Sequence, residues 1–524
     1  MEHIRKSGIL LSPTSFPSNY GIGDLGKSAY DFIDFLKESG MKYWQILPLN
    51  PTGFKDSPYQ SFSAFAGNFY LISPDILINE KLISPEDIEN INFLDEKVEY
   101  GKVIPYKMGI FKKAFKNFKN MAKTDIQFIK FCQDNEFWLN NYALFVSIKD
   151  YYIQKRKNEF KSEKQDDFCK ITASVLNENT QKDYYYGGVW ASWDEELINR
   201  NPLALRKMSY LLEEKITFYK FLQFEFFSQW SKLKKYANSN GIEIIGDMPI
   251  FVAWDSADTW SNQNLFKLDS NGFPTEVAGV PPDYFSKTGQ LWGNPVYRWE
   301  EHEKNGYLWW CERIKNTLLL TDKIRIDHFR GFESNYCIPF GSKDATVGKW
   351  KKGPQSKLFK VIEEKIGLPF IAEDLGIITK EVEDLRDEFN LPGMRVLQFA
   401  FDKSKNNPYL PHNYTKNSVV YTGTHDNDTS IGWYRKATEF EKDFLRRYMN
   451  TPANRPSWDL IRLAMSSAAD TAIFPLQDVL ELGSEARMNT PGTESGNWQW
   501  RYKKGDLTEE RINELKYLCK IFKR

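Results

Sequence analysis

Cysteine is scarce in this chain of 524 residues. Cys132, Cys169, Cys311, Cys337 and Cys519 are odd in number, far apart and free of any CxxC spacing, which argues against a disulfide framework or a zinc knuckle and fits a reducing compartment. Histidine is equally sparse. His3, His302, His328, His412 and His425 form no HxH or HExxH pattern, so nothing points to a multi-histidine metal centre, and no stretch has the ligand spacing of a calcium loop. Long apolar runs are missing too: the N-terminal MEHIRKSGILLSPTS is too short in its apolar part for a signal peptide, and no segment approaches the roughly 18 apolar residues of a membrane span. An excess of either charge is also absent. Lys plus Arg total 70 and Asp plus Glu total 70, so no long-range field draws the chain to nucleic acid or to an anionic membrane. The expectation is a cytoplasmic protein with a neutral partner and no cofactor or metal.

Aromatic residues, by contrast, are plentiful: 15% of the chain, with 16 Trp, 27 Tyr and 38 Phe. Most serve a core, and the remainder offer flat faces on which sugar rings stack. Eight apolar segments end in polar residues: GILLSPTS (Gly8 to Ser15), YWQILPL (Tyr43 to Leu49), EIIGDMPIF (Glu243 to Phe251), KIRIDHF (Lys323 to Phe329), PFIAEDLG (Pro369 to Gly376), RVLQFAF (Arg395 to Phe401), VVYTGTHDN (Val419 to Asn427) and AIFPLQDV (Ala472 to Val479). Helical periodicity lies between them. Ser28 is placed to cap a helix carrying Ala29, Phe32, Ile33 and Leu36, closed by Gly40, and a long helical pattern runs from about Leu205 to Tyr236. The fold class expected is α/β, a (β/α)8 TIM barrel over residues 1–524 with polar strand ends gathered on one rim. Two spans exceed ordinary barrel loops: 75–183, read as a helical insertion, and 254–320, read as a loop-rich insertion over the active face.

The strand ends carry the chemistry. Alternation puts Arg325, Asp327 and Phe329 on one face of KIRIDHF and His328 on the other. A guanidinium beside a carboxylate favours its ionised form, which suits a nucleophile, although an arginine–aspartate pair at a strand end is also an ordinary ion pair. In IAEDLG, Glu373 shares its face with Ile371 and Leu375, while Asp374 points away. A carboxyl among apolar groups stays protonated and serves as a general acid, or is simply bonded to a neighbouring strand. Asp247 in GDMPIF, with His425 and Asp426 in GTHDN, adds further polar groups to the same rim. Two carboxyl groups in opposed environments are what glycosidic bond chemistry requires, at about 5 to 5.5 Å in retaining enzymes.

These motifs resemble those of the α-amylase clan, and in the forms written here they resemble its amylomaltase branch, the 4-α-glucanotransferases. The likeness extends to GILLSPTSFPSNYGIGDLG, QILPLNPTG, DSPYQSFSAFAGN, AGVPPDYFSKTGQLWGNPVY, ARMNTPGT and GNWQWR, and is weakest in the helical insertion. The resemblance implies no separate C-terminal β-domain, Asp327 as nucleophile, Glu373 as acid/base and Asp426 as stabiliser of the transition state. It further implies Arg325 beside the nucleophile, Asp247, His425 and Tyr59 around the donor sugar, with Tyr59 as a stacking platform, and Trp292, Asp283 and Asn294 on the acceptor side. Ser57, Asp56, Asn489 and Asn497 are either sugar contacts or turn residues. Phe54 stands where relatives often have Tyr, which weakens any secondary sugar site there.

The partners so implied are malto-oligosaccharides and starch or glycogen-derived α-1,4-glucans, with glucose as an acceptor, handled by a monomer or weak homodimer. Transfer prevails over hydrolysis, against water at about 55 M, only where the site excludes water and holds the acceptor; residues 278–297 are expected to do this. The alternatives are an α-glucan hydrolase, a metal-dependent hydrolase on the same barrel, and a glucan-binding protein without catalysis.

Overall fold

A computed structural model describes residues 5–53, 56–159, 188–282, 286–493 and 495–524. The twelve strands among these described residues are β1 (Lys6–Leu10), β2 (Tyr43–Gln45), β3 (Glu243–Pro249), β4 (Glu276–Val280), β5 (Gln290–Pro295), β6 (Lys323–Asp327), β7 (Ser334–Pro339), β8 (Lys349–Lys352), β9 (Phe370–Ala372), β10 (Gly393–Val396), β11 (Ser418–Tyr421) and β12 (Thr471–Pro475). Eight of them close a barrel in the order β1-β12-β11-β10-β9-β6-β3-β2, every pair parallel. Each of the eight apolar segments supplies one stave of this (β/α)8 barrel, with helices between them.

Several staves are shorter than their apolar runs. RVLQFAF was expected to be strand throughout, but β10 stops at Val396 and a 3₁₀ turn, Leu397–Phe399, follows. β2 likewise stops at Gln45, although Ile46, Leu47 and Leu49 are all buried. Ile46, Leu47, Leu49 and Leu397 are buried although they lie beyond the regular strand, so an apolar run marks burial here and not extended backbone.

The helices show two further departures. The first spans Lys27–Glu38 and begins after Gly26 with no side-chain cap, so Ser28 lies within its first turn instead of capping it. Ala29, Phe32, Ile33 and Leu36 are buried as the spacing requires, and Gly40 closes the turn with φ of +80°. The pattern from Leu205 to Tyr236 is two helices, Pro202–Leu211 and Glu213–Ser239, broken where Leu212 leaves helical geometry at φ −109° and ψ 18°.

Within 75–183 the chain forms helices Tyr100–Phe118, Ile126–Asp134 and Glu136–Glu159; residues 160–183 lie outside the described residues. These helices pack aromatic side chains on Glu213–Ser239, with Phe118 against Phe221 at 4.7 Å and Phe131 against Phe224 at 5.7 Å. The span 254–320 is more regular than the loop expected for it. It contributes β4 and β5 to an antiparallel sheet of order β5-β4-β7-β8, and it ends in helix Leu308–Leu320, which leads into β6. Frequent Gly and Pro hid the alternation, yet Gly279 is what lets β5 approach: a Cβ there would sit 2.2 Å from the Gln290 carbonyl oxygen. Cys132, Cys311, Cys337 and Cys519 are unpaired, and Cys169 lies outside the described residues. Among the described residues no helix is long and apolar enough to cross a membrane.

Candidate active site

The barrel register brings the carboxylates together. Asp247 pairs with Arg325 and Pro249 with Asp327 across β3 and β6, while Ile326 pairs with Ala372 across β6 and β9. Asp327 is thus the last residue of β6, and Glu373 follows the last residue of its neighbour, with the Glu373 N–H donating to the Ile326 carbonyl at 3.1 Å. Both stand on the same rim at adjacent strand ends.

Arg325 organises the polar floor beneath them. Its Nη1 lies 2.8 Å from both oxygens of Asp247 and 3.0 Å from Asp327 Oδ1. The Arg325 side chain is 4% exposed and that of Asp247 is fully buried. Burial works against the Arg325 charge, but Asp247 and then Asp327 more than reverse it and hold the guanidinium well above its ordinary pKa. Burial also pushes the Asp247 carboxyl up, opposed by Arg325. A charge so deeply placed needs its partner, since a lone buried ion is far costlier than a paired one.

Glu373 sits in a different setting. Burial is the largest influence on it and, with the nearby Asp327 charge, pushes its pKa up to about 8 against the pull of Arg325 and of a backbone donor. That donor is the His328 N–H, 2.7 Å from Glu373 Oε2; the Leu375 N–H reaches Oε1 at 3.1 Å. Asp374 turns away, accepting from the Met394 N–H at 2.6 Å and pairing with Arg386.

His328 corrects the sequence reading. Regular strand ends at Asp327, and His328 has φ of +55°, a left-handed conformation that costs a non-glycine residue roughly 1–2 kcal/mol. Strand alternation therefore does not apply to it. Its ring meets Trp292 edge to face at 4.9 Å, and its backbone joins Asp327 to Glu373. No local pattern marks it, because a left-handed φ at a histidine has no sequence signature of its own.

On the far side, Asp426 Oδ1 accepts from Asn489 Nδ2 at 2.6 Å and lies 3.4 Å from His425 Nε2. Tyr59 donates its hydroxyl to Asp247 Oδ2 at 2.8 Å, and its ring stacks on His425 at 5.2 Å and 18° and leans on Trp498 at 5.5 Å. One face of the Tyr59 ring is thereby engaged by protein. Ser57 Oγ accepts the Tyr59 N–H at 3.2 Å and so serves its turn. Asn294 is buried, donating to the Val252 carbonyl and accepting from Gln60 Nε2 at 3.0 Å, so it braces the segment that carries Trp292. Asn497 Oδ1 takes the Thr490 N–H within a turn. Asp283 and Phe54 lie outside the described residues. Gln60 lies in DSPYQSFSAFAGN and Trp498 in GNWQWR, where no local pattern marks either as part of the site.

Residues 11–508 match the glycoside hydrolase family 77 model, described as 4-alpha-glucanotransferase. The chain belongs to the 4-α-glucanotransferase family. The 4-alpha-glucanotransferase of Thermus thermophilus is 47% identical over 536 residues, with 100% of each chain covered, and that of Clostridium butyricum is 46% identical, with 98% of this chain and 99% of the relative covered. Among solved structures, the amylomaltase of Streptococcus agalactiae in complex with acarbose superposes with a TM-score of 0.90 at 39% identity, covering 99% of both chains. The amylomaltase of Corynebacterium glutamicum, at 17% identity and a TM-score of 0.72, shares the fold; 98% of this chain and 75% of that one are covered. Within the 4-α-glucanotransferase family, a rim with one carboxylate against an arginine and one carboxyl raised to about 8 has the parts for acid-assisted displacement at a sugar carbon.

Proposed function

We propose that this enzyme cleaves α-1,4-glucosidic bonds in malto-oligosaccharides and starch- or glycogen-derived glucans and passes the glucan segment to the 4-hydroxyl of a second glucan or of glucose. Asp327 attacks the anomeric carbon while Glu373 gives its proton to the departing oxygen, leaving the donor segment bonded to Asp327. The acceptor hydroxyl then attacks the same carbon. Glu373 takes the hydroxyl's proton, the bond to Asp327 breaks, and two inversions give net retention. Asp426, held by Asn489, takes hydroxyl hydrogen bonds that tighten as positive charge develops on the sugar ring. Asp247, Tyr59 and His425 border the donor sugar, and Trp292 faces the acceptor.

The observation that carries this reading is the contrast between neighbouring strand ends: Asp327 bonded to a charged guanidinium, Glu373 raised to about 8. A carboxyl with that pKa still holds its proton at neutral pH, as a general acid must. The acarbose complex of the Streptococcus agalactiae relative supports a glucan-like ligand. Incubation of the purified enzyme with maltotriose tests the reaction. Glucose together with chains longer than maltotriose is the expected outcome; products shorter than the substrate alone would mean a hydrolase.

A further inference from the structure

His328 stands between the two proposed catalytic carboxyl groups in a backbone state that favours glycine. It directly follows Asp327, and its N–H bonds to Glu373 Oε2 at 2.7 Å. Glycine would adopt φ of +55° at less cost, so the imidazole has to contribute something that glycine cannot. Its contribution is a contact with the second sheet: the ring lies edge-on to Trp292 of β5 at 4.9 Å and 88°. Gly331 makes room for the ring, since a Cβ there would come within 3.2 Å of His328 Cδ2. Burial lowers the imidazole to about 4, so it is neutral at neutral pH and is no rival to Glu373 as proton donor.

We infer that His328 is a positioning residue: one left-handed turn fixes the Glu373 carboxyl through its N–H and fixes Trp292 through its ring, so that acceptor placement and proton delivery share a single support. The inference rests on the acid/base reading of Glu373 given above. The charged and titratable groups that act electrostatically on Glu373 are Arg325 and Asp327 on β6, Asp374 beside it in sequence, and the phenols of Tyr409 and Tyr421. Arg325, Asp374, Tyr409 and Tyr421 lie outside the left-handed turn, and none of these four depends on it. The His328 N–H does, and it favours the ionised carboxylate. Straightening the turn removes that donor, and Glu373 then keeps its proton to higher pH.

The test separates backbone from ring. His328→Gly and His328→Asn accept a left-handed φ but lose the imidazole edge, whereas His328→Ala and His328→Val also oppose the turn. The readouts are the pH profile of kcat/KM for maltotriose and the KM for glucose as acceptor at fixed donor. His328→Ala and His328→Val should move the alkaline limb upward by about half a pH unit or more. The glycine and asparagine variants should leave that limb in place while raising the glucose KM severalfold. Should the valine variant fail to fold, the alanine variant decides. The inference is overturned by an alkaline limb in His328→Ala that superposes on the wild-type limb, by one that moves as far in His328→Gly, or by an unchanged glucose KM in His328→Gly. Glu373→Gln, assayed in parallel, keeps the two claims apart. If it retains turnover and limb, the acid/base reading fails; if it loses activity while the His328→Ala limb stays put, only the present inference fails.

Discussion

On the barrel rim, Arg325, Tyr59 and the site's carboxyl groups are all tied to partners: Arg325 to Asp247 and Asp327, Tyr59 to Asp247, Glu373 to two backbone donors, Asp426 to Asn489. The antiparallel sheet beside it is built differently. On β5, Gln290 and Leu291 are exposed, Trp292 is half-buried, and only Asn294 and Pro295 are covered. The closed barrel has no free edge, so its strand ends are fixed in position, while β5 and β8 are edges of an open four-stranded sheet. In the proposed mechanism, bond breaking, which tolerates little displacement, falls to the first, and choosing between water and a sugar as acceptor, where partners vary, falls to the second.

The largest expected effects break the rim. Asp327→Asn and Glu373→Gln keep side-chain shape and should each lower kcat/KM by roughly 10³-fold or more, with an unchanged far-ultraviolet circular dichroism spectrum. Near-normal turnover by either variant would remove the distinction between the two regions. Arg325→Ala comes next, because it leaves Asp247 buried without its counter-ion. A loss of roughly 3–5 kcal/mol in unfolding free energy, read from denaturant titration, is expected together with loss of activity.

A third prediction uses the raised carboxyl alone. Glu373 binds its proton more tightly in the folded chain, at about 8 against 4.5 for an ordinary glutamate. The stability this contributes is fully present below pH 4.5 and is lost as pH rises through 8. The melting temperature of Glu373→Gln should therefore gain on that of the wild type across this window and level off above it, and wild-type kcat/KM should fall on the alkaline side near pH 8. A flat difference in melting temperature would contradict the burial argument. The smallest effect belongs to the sheet: Trp292→Ala should raise hydrolysis, read as net new reducing ends, relative to transfer by a factor of a few while cleavage continues. A ratio that does not move would place water exclusion elsewhere.

Much of this was legible beforehand where composition and position coincide. The eight staves could be found because barrel strands are buried on both faces and read as apolar runs that end in polar residues. Arg325 and Asp327 share a face through simple alternation, and their contact at 3.0 Å follows from it. For Asn489 the sequence does not decide between sugar contact and turn residue, because its bond to Asp426 spans 63 positions of sequence. Gln60, Trp498 and the engaged face of Tyr59 were hidden for the same reason. The sheet of β4, β5, β7 and β8 escaped because KWKK of β8 is exposed along its whole length and shows no alternation.

By itself, then, the sequence determined the class of fold and the residue types at the ends of the staves, since both depend on local periodicity and on burial of apolar area. Only the tertiary structure decided which groups share a proton or a counter-ion. Asp247 and Arg325 are 78 positions apart in the chain yet 2.8 Å apart in space, and His328 reaches Glu373 only because the backbone turns left-handed directly after Asp327. Electrostatic coupling falls with distance and rises with burial, and neither is set until the barrel has closed.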